Sequence, residues 1–328
     1  MHARRRFLRL ASTAALAAAA APLAGPALAA DTWPNRPIRL VVPYPAGGSS
    51  DIIARLISKQ LGEALGQPVV VDNRPGANGN VGAAFVAQSG GDNHTLLLCD
   101  VGALAISPSV YTKLTFDPAK DLKGVGMLAY SPHMLVVNPS VQANTLKDLV
   151  EMSKRGELNF AVTAIGSAPH LAGVAVQQAT GAKWQYVPYK GGAQAIADTV
   201  GGTAQVLMNG MLATLPHVQS GKLKAIAVSK RTRMPLVGNL PTIAEQGVAN
   251  FESGTYQGVM APARMPDAAV TRLNAELVRI IRSPEVRAQL AGQGAEVVTM
   301  TPAETNRFFA AEKTRWAAVV KQAGIKLD

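Results

Sequence analysis

Apolar residues in this chain fall into short unbroken runs, each followed by a longer stretch in which they recur every three or four positions. That is the pattern of strands alternating with helices. The first run, 38–42, leads into a helix predicted over 51–65, where Ile52, Ile53, Leu56, Ile57 and Leu61 keep the helical period and Gly66 stops it. A strand at 69–72, a turn-rich Asn73-Arg74-Pro75-Gly76-Ala77-Asn78-Gly79, a helix at 80–88 and a strand at 95–99 continue the rhythm. Repeated units of this length predict a parallel sheet with helices on both faces.

After Asp121 the pattern loosens, and 125–129 and 134–137 read as two separate strands that carry the chain into a second lobe. The rhythm then resumes with a helix at 145–154 capped by Thr145, a strand at 158–162, a helix ending near Thr180 and a strand at 184–187. Helices at 193–200 and 211–219 alternate with strands at 204–208 and 223–228. Past Pro241 come a return strand at 256–261, an amphipathic helix at 267–282 and a last helix at 303–323, whose Phe308, Phe309, Trp316 and Val319 suit core or inter-lobe packing. Tyr44-Pro45-Ala46-Gly47-Gly48 and Val187-Pro188-Tyr189-Lys190-Gly191-Gly192 share one layout, strand, proline, paired glycines, helix, which suggests two similar α/β lobes.

The glycine turn at 41–51, Val-Val-Pro-Tyr-Pro-Ala-Gly-Gly-Ser-Ser-Asp, carries the candidate chemistry. Gly47 and Gly48 leave the main chain open to close approach, and Ser49, Ser50 and Asp51 suit a helix cap and first turn. Unpaired N–H groups and a partial positive charge at such a helix start receive an anion without Lys or Arg. The same residues also suit a turn that merely caps itself.

Composition narrows the choices. With 328 residues, 48% hydrophobic and 16% charged, the chain has room for two domains with ordinary globular cores. Its one cysteine, Cys99, excludes an internal disulfide and a CxxC zinc site, and its mid-strand position is wrong for a lipid anchor. Of the formal charge of +11, Arg4, Arg5, Arg6 and Arg9 supply four, leaving about +7 dispersed over the remainder. Basic residues are not interleaved with aromatics after residue 30, and aromatics make up only 5%, so nucleic acid is not an expected partner.

Residues 1–30 read as a cleaved export signal: a basic start, an Ala/Leu stretch, and Ala27-Leu28-Ala29 as the cleavage site. Arg4-Arg5-Arg6-Phe7-Leu8-Arg9 resembles a twin-arginine pattern, with a general secretory signal as the alternative. Enzyme signatures are missing: there is no G-x-S-x-G, HExxH or Walker pattern, and Gly76, Gly79 and Gly82 have the wrong spacing for a dinucleotide turn. His94, His133, His170 and His217 are scattered. Ser167 and His170 are the one Ser/His neighbourhood, better suited to a helix cap and first-turn hydrogen bonding than to catalysis. No metal and no cofactor is expected.

Several stretches closely resemble the periplasmic solute-binding receptors of tripartite tricarboxylate transporters, the Bug-type proteins. They are WPNRPIRLVVPYPAGGSSD from Trp33, GQPVVVDNRPGANGNVGA from Gly66, GSAPHLAG from Gly166, VPYKGGAQAIADTVGG from Val187, SGKLKAIAVS from Ser220, LPTIAEQG from Leu240 and GVMAPARMP from Gly258. The collinear match covers nearly everything from Trp33 to Leu327.

The resemblance implies a type II periplasmic-binding fold, two α/β lobes joined by crossing strands that close on a small carboxylate. Residues 31–130 with 256–328 would form the first lobe and 131–255 the second. Ligand contacts carried over are Tyr44 flanking the acid, Gly47, Gly48 and Ser49 as donors, Asp51 as cap or water holder, and Asp100. From the second lobe come Gly166, Ser167 and His170, with Asn209 on the facing wall. Three positions depart from the family pattern: Asn209 replaces a common Asp, Gly91-Asp92-Asn93-His94 replaces Pro-Asp-Gly-Tyr, and Tyr256 stands where Trp is frequent. The first favours a plain carboxylic acid over an amino acid. Expected partners are the acid and the membrane permease subunits, for a monomeric receptor that closes about Tyr130 and Tyr256. A receptor for a sensor kinase is a competing reading, and a secreted hydrolase using Ser167 and His170 a third.

Overall fold

The computed structural model describes residues 33–156 and 158–327. The export-signal reading of 1–30 lies outside the described residues. From Arg36 onward the chain makes one compact unit.

In chain order this unit begins with strand β1 (Ile38–Val42), helix α1 (Ser49–Leu65), β2 (Val69–Asn73), α2 (Asn80–Gln88) and β3 (Thr95–Asp100). A π-type turn, Gly102–Ile106, and a short helix, Ser107–Val110, lead to the 16-residue strand β4 (Leu122–Val137). Then come α3 (Leu146–Arg155), β5 (Leu158–Val162), α4 (Ala168–Thr180), β6 (Trp184–Pro188), α5 (Gly192–Val200) and β7 (Val206–Gly210). The chain ends with α6 (Met211–Gln219), β8 (Lys224–Val228), β9 (Gly254–Pro262), α7 (Asp267–Ile281), α8 (Pro284–Gly292), β10 (Glu296–Val297) and α9 (Pro302–Ala323).

The strands join in one sheet ordered β2-β1-β3-β9-β4-β7-β5-β6, with β8 and β10 added along β4. Within each half the neighbours run parallel, β1 with β2 and β3, β5 with β6 and β7. The middle departs from the all-parallel expectation, because β4 and β9 are antiparallel to each other and to their outer neighbours. β4 pairs with β9 from Leu122 to Pro132 and with β7 from His133 to Val137. One strand therefore spans both halves where two had been expected. Pro132, between the two expected strands, occupies the last pair with β9 just before β7 takes over, where a missing N–H costs least.

Central strands are apolar because both faces are covered. Leu40, Val41, Val42, Leu96, Leu97 and Leu98 are fully buried. α1 lays Ile53, Ile57, Leu61 and Leu65 against them at helical spacing, each such burial contributing about 1.5–3 kcal/mol. Gly66, in the left-handed conformation (φ 74°), ends α1 with its N–H on the Gly62 carbonyl. In the other half, Phe160 and Trp184 pack with ring centroids 5.0 Å apart. Phe309 and Trp316 of α9 are buried in a cluster that includes Val41 of the first half and Leu171 of α4. At the crossing strands Tyr130 and Tyr256 are register partners with rings 4.6 Å apart, and Phe308 stacks on Tyr256 at 4.8 Å.

Candidate functional site

A cleft opens at the C-terminal ends of β1 and β3, the place where open α/β sheets leave room for ligands. Its first wall begins with the turn after β1. Helix α1 starts at Ser49, two residues earlier than the periodicity predicts, with Gly48 as an N-cap that has no side-chain bond. Asp51 supplies the cap from inside: its Oδ2 accepts the Gly47 N–H at 2.9 Å and Arg55 Nε at 2.9 Å, and its Oδ1 accepts Asn73 Nδ2 at 2.9 Å. Asn73 also donates to the Tyr44 carbonyl at 3.0 Å. Burial alone would push the Asp51 carboxyl up, yet the bonds from Arg55, Gly47 and Asn73 hold it below the usual range.

The Gly47 N–H is bonded to Asp51, which is buried and caps the turn, one of the two roles the sequence allowed it. The N–H groups of Gly48, Ser49 and Ser50 have no acceptor among the described residues, as the first turn of a helix requires, and all three residues line the cleft.

The second wall is built from the starts of α4 and α5 and the end of β7. Ser167 caps α4 by accepting the His170 N–H at 3.3 Å, and its hydroxyl donates to the Ala164 carbonyl at 2.8 Å. His170 Nδ1 accepts the Gly166 N–H at 3.0 Å. Burial lowers the His170 pKa to about 4, so the ring is neutral. No Ser–His dyad exists here, because the hydroxyl proton and the ring nitrogen each serve the backbone. Ser167 and Asn209 line the cleft, with Asn209 Nδ2 on Thr214 Oγ1 at 3.2 Å, whereas Gly166 and His170 are not part of its lining.

Tyr44 and Asp100 also line it, bonded to each other. The Tyr44 hydroxyl donates to Asp100 Oδ1 at 2.6 Å, and the Gly102 N–H donates to the same oxygen at 2.7 Å. Burial raises the Asp100 pKa to about 6, against the opposing pull of those two bonds. Burial, and then the Asp100 charge, push the Tyr44 hydroxyl well up.

Asn78, Gly192, Thr255 and Gln257, which the sequence did not single out as ligand contacts, also line the cleft. Gln257 left a readable trace, a lone amide in the otherwise apolar run at the centre of β9. No Lys or Arg lines the cleft, so helix starts with unpaired N–H groups, at Gly48 to Ser50 and at Gly192, are its positive features. Its volume is about 50 Å³, on a measure by which one water takes about 10–15 Å³. The halves touch around it: Asn78 Nδ2 reaches the Gly166 carbonyl at 3.3 Å, and a Cβ on Gly210 would lie 2.9 Å from Ser49 Oγ. The described conformation is closed.

Residues 53–325 match the model of the tripartite tricarboxylate transporter family receptor. The chain belongs to this receptor family. It is 38% identical to BugT of Bordetella pertussis over 97% of this chain and 98% of that protein. Among solved structures, an R. palustris protein determined with adipate is 35% identical, with a TM-score of 0.86 over 90% of this chain and 99% of its own. MatC from Rhodopseudomonas palustris, with bound malate, is 28% identical, with a TM-score of 0.82 over 88% and 100%. The receptor thus has the periplasmic binding-protein fold and is a periplasmic solute-binding protein of a transport system, not an enzyme. Among the described residues no helix is long and apolar enough to cross a membrane.

Proposed function

We propose that this receptor captures a small organic acid between its two halves and delivers it to the membrane subunits of a tripartite tricarboxylate transporter. The observation that carries the reading is the cluster of unpaired N–H groups at Gly48, Ser49 and Ser50, opening on a closed cleft that has no cationic side chain. A carboxylate placed there meets main-chain donors and the positive end of α1. Ser167, Gly192 and Asn209 approach the same space from the other half, so the bound acid would bridge both walls and stabilise closure. Adipate and malate, bound by related proteins, support a ligand with at least one carboxylate. The permease would recognise the closed form of the monomer, which couples capture to transport.

A thermal-shift screen of the mature protein against mono-, di- and tricarboxylates tests this, since a ligand bound only by the native state raises its apparent stability. Stabilisation by an acid in the wild type, lost in Gly48→Val, is the expected result. Stabilisation that survives Gly48→Val would remove the carboxylate from this turn.

A further inference from the structure

Asp100 and Gln257 form a feature of the cleft that the carboxylate site does not use. They are register partners across β3 and β9, so their side chains stand on the same face of the sheet. Gln257 is fully buried, yet neither its Nε2 nor its Oε1 has a partner. An orphaned buried amide is destabilising, a cost that a ligand in the cleft would recover. Asp100 carries both of its hydrogen bonds on Oδ1, from Tyr44 and Gly102, and Oδ2 receives none among the described residues.

Position along the sheet sets the scale. β1 bears the Gly48 turn, β3 is its neighbour and β9 lies one strand further. At about 4.8 Å per strand, β3 and β9 lie roughly 5 and 10 Å across the sheet from the strand that carries the turn, a span comparable to a short acid chain.

We propose that Asp100 and Gln257 read the end of the ligand remote from its carboxylate, and that this end carries an N–H or O–H donor in place of a second carboxylate. The inference rests on the carboxylate site proposed above. An amide, ammonium or hydroxyl group would donate to Asp100 Oδ2, and Gln257 would supply one more donor and acceptor. A second carboxylate would instead face the charge of Asp100 with no cation nearby. Asp100 is the one cleft-lining group that changes charge between about pH 5 and 8. Tyr44 and Cys99 beside it are pushed up by burial, and His170, not part of the lining, is held down to about 4. Discrimination against dicarboxylates should therefore be strong at about pH 8 and weaken as pH falls below about 6.

The test is calorimetric titration of the mature protein with four- to six-carbon acids in matched sets: unsubstituted, ω-amide, ω-amino, ω-hydroxy and ω-carboxylate. At about pH 8, one donor-tipped acid should bind at least about tenfold more tightly than the dicarboxylate and the unsubstituted acid of its length. Gln257→Leu should remove the advantage over the unsubstituted acid. Asp100→Asn should remove the discrimination against the dicarboxylate at about pH 8, where the ligand's own second carboxyl stays ionised. A dicarboxylate that binds the wild type at about pH 8 as tightly as every donor-tipped acid overturns the inference while leaving the carboxylate site standing. No binding of any acid removes the carboxylate site, and this inference with it.

Discussion

Gly191 of the second half lies against Pro45 of the first so closely that a Cβ on Gly191 would overlap the proline Cδ. The backbone of Gly191 is extended (φ 165°), a conformation open to any residue, so glycine is required there by closure alone. The two glycine turns whose likeness shows in the sequence thus meet face to face across the cleft.

Gly191→Val should prop the halves apart without unfolding either. Overpacking of this kind costs about 1–3 kcal/mol, which lowers ligand affinity roughly 5- to 150-fold. Small-angle scattering should show less ligand-induced compaction while the unfolding midpoint of the free protein stays near that of the wild type. Undiminished affinity would mean that this contact does not limit closure.

Gly48 gives a cleaner probe of the carboxylate position. Its φ of −80° and ψ of 167° suit a β-branched residue, and a Cβ there would meet only the Pro45 carbonyl at 3.6 Å. Gly48→Val should keep its circular dichroism and thermal midpoint and lose binding, as read by titration calorimetry.

Asp51 should matter for stability first and binding second. Asp51→Ala leaves the Gly47 N–H without its acceptor and takes from the Asn73 amide one of its two, at a cost of about 1–3 kcal/mol measurable by urea unfolding. The folded carboxyl titrates below its ordinary value, so its contribution is present above about pH 4 and fades as pH falls through the lower folded value. The difference between wild type and variant should shrink in acid.

Acid should also destabilise the crossing strands. His133 on β4 is fully buried, its ring bonded to Thr255 Oγ1 at 2.8 Å and Ser253 Oγ at 2.8 Å, and burial lowers its pKa to about 3. Below the ordinary histidine value of 6.5 the unfolded chain takes up the proton and the folded one does not. Stability is then full above about pH 6.5 and declines towards pH 3, with His170 acting in the same sense down to about pH 4. Urea midpoints followed across this range should fall with pH, and His133→Gln should flatten the slope. An unchanged slope in both His133→Gln and His170→Gln would assign the acid loss to other groups.

Much of this was legible along the chain because it is local. Periodicity placed β1, α1, β5 and α5 within a residue or two of their ends, since each is set by near neighbours along the chain. It was silent on α8 and on the π-type turn after β3, and it split β4 at Pro132, because a strand that changes partners midway looks the same as a strand that stops.

The sequence by itself determined the alternation of strands and helices, the glycine turn at the head of α1 and, through its collinear motifs, the receptor family. Only the tertiary structure decided that Asp51 turns inward and consumes the Gly47 donor, that Gly191 and Pro45 close on each other, and that Asp100 stands beside an unpartnered Gln257. The reason is separation along the chain: residue type and spacing specify a helix start, whereas the register of β3 against β9 joins positions more than 150 residues apart. That register is fixed by packing the whole sheet, and no local pattern encodes it.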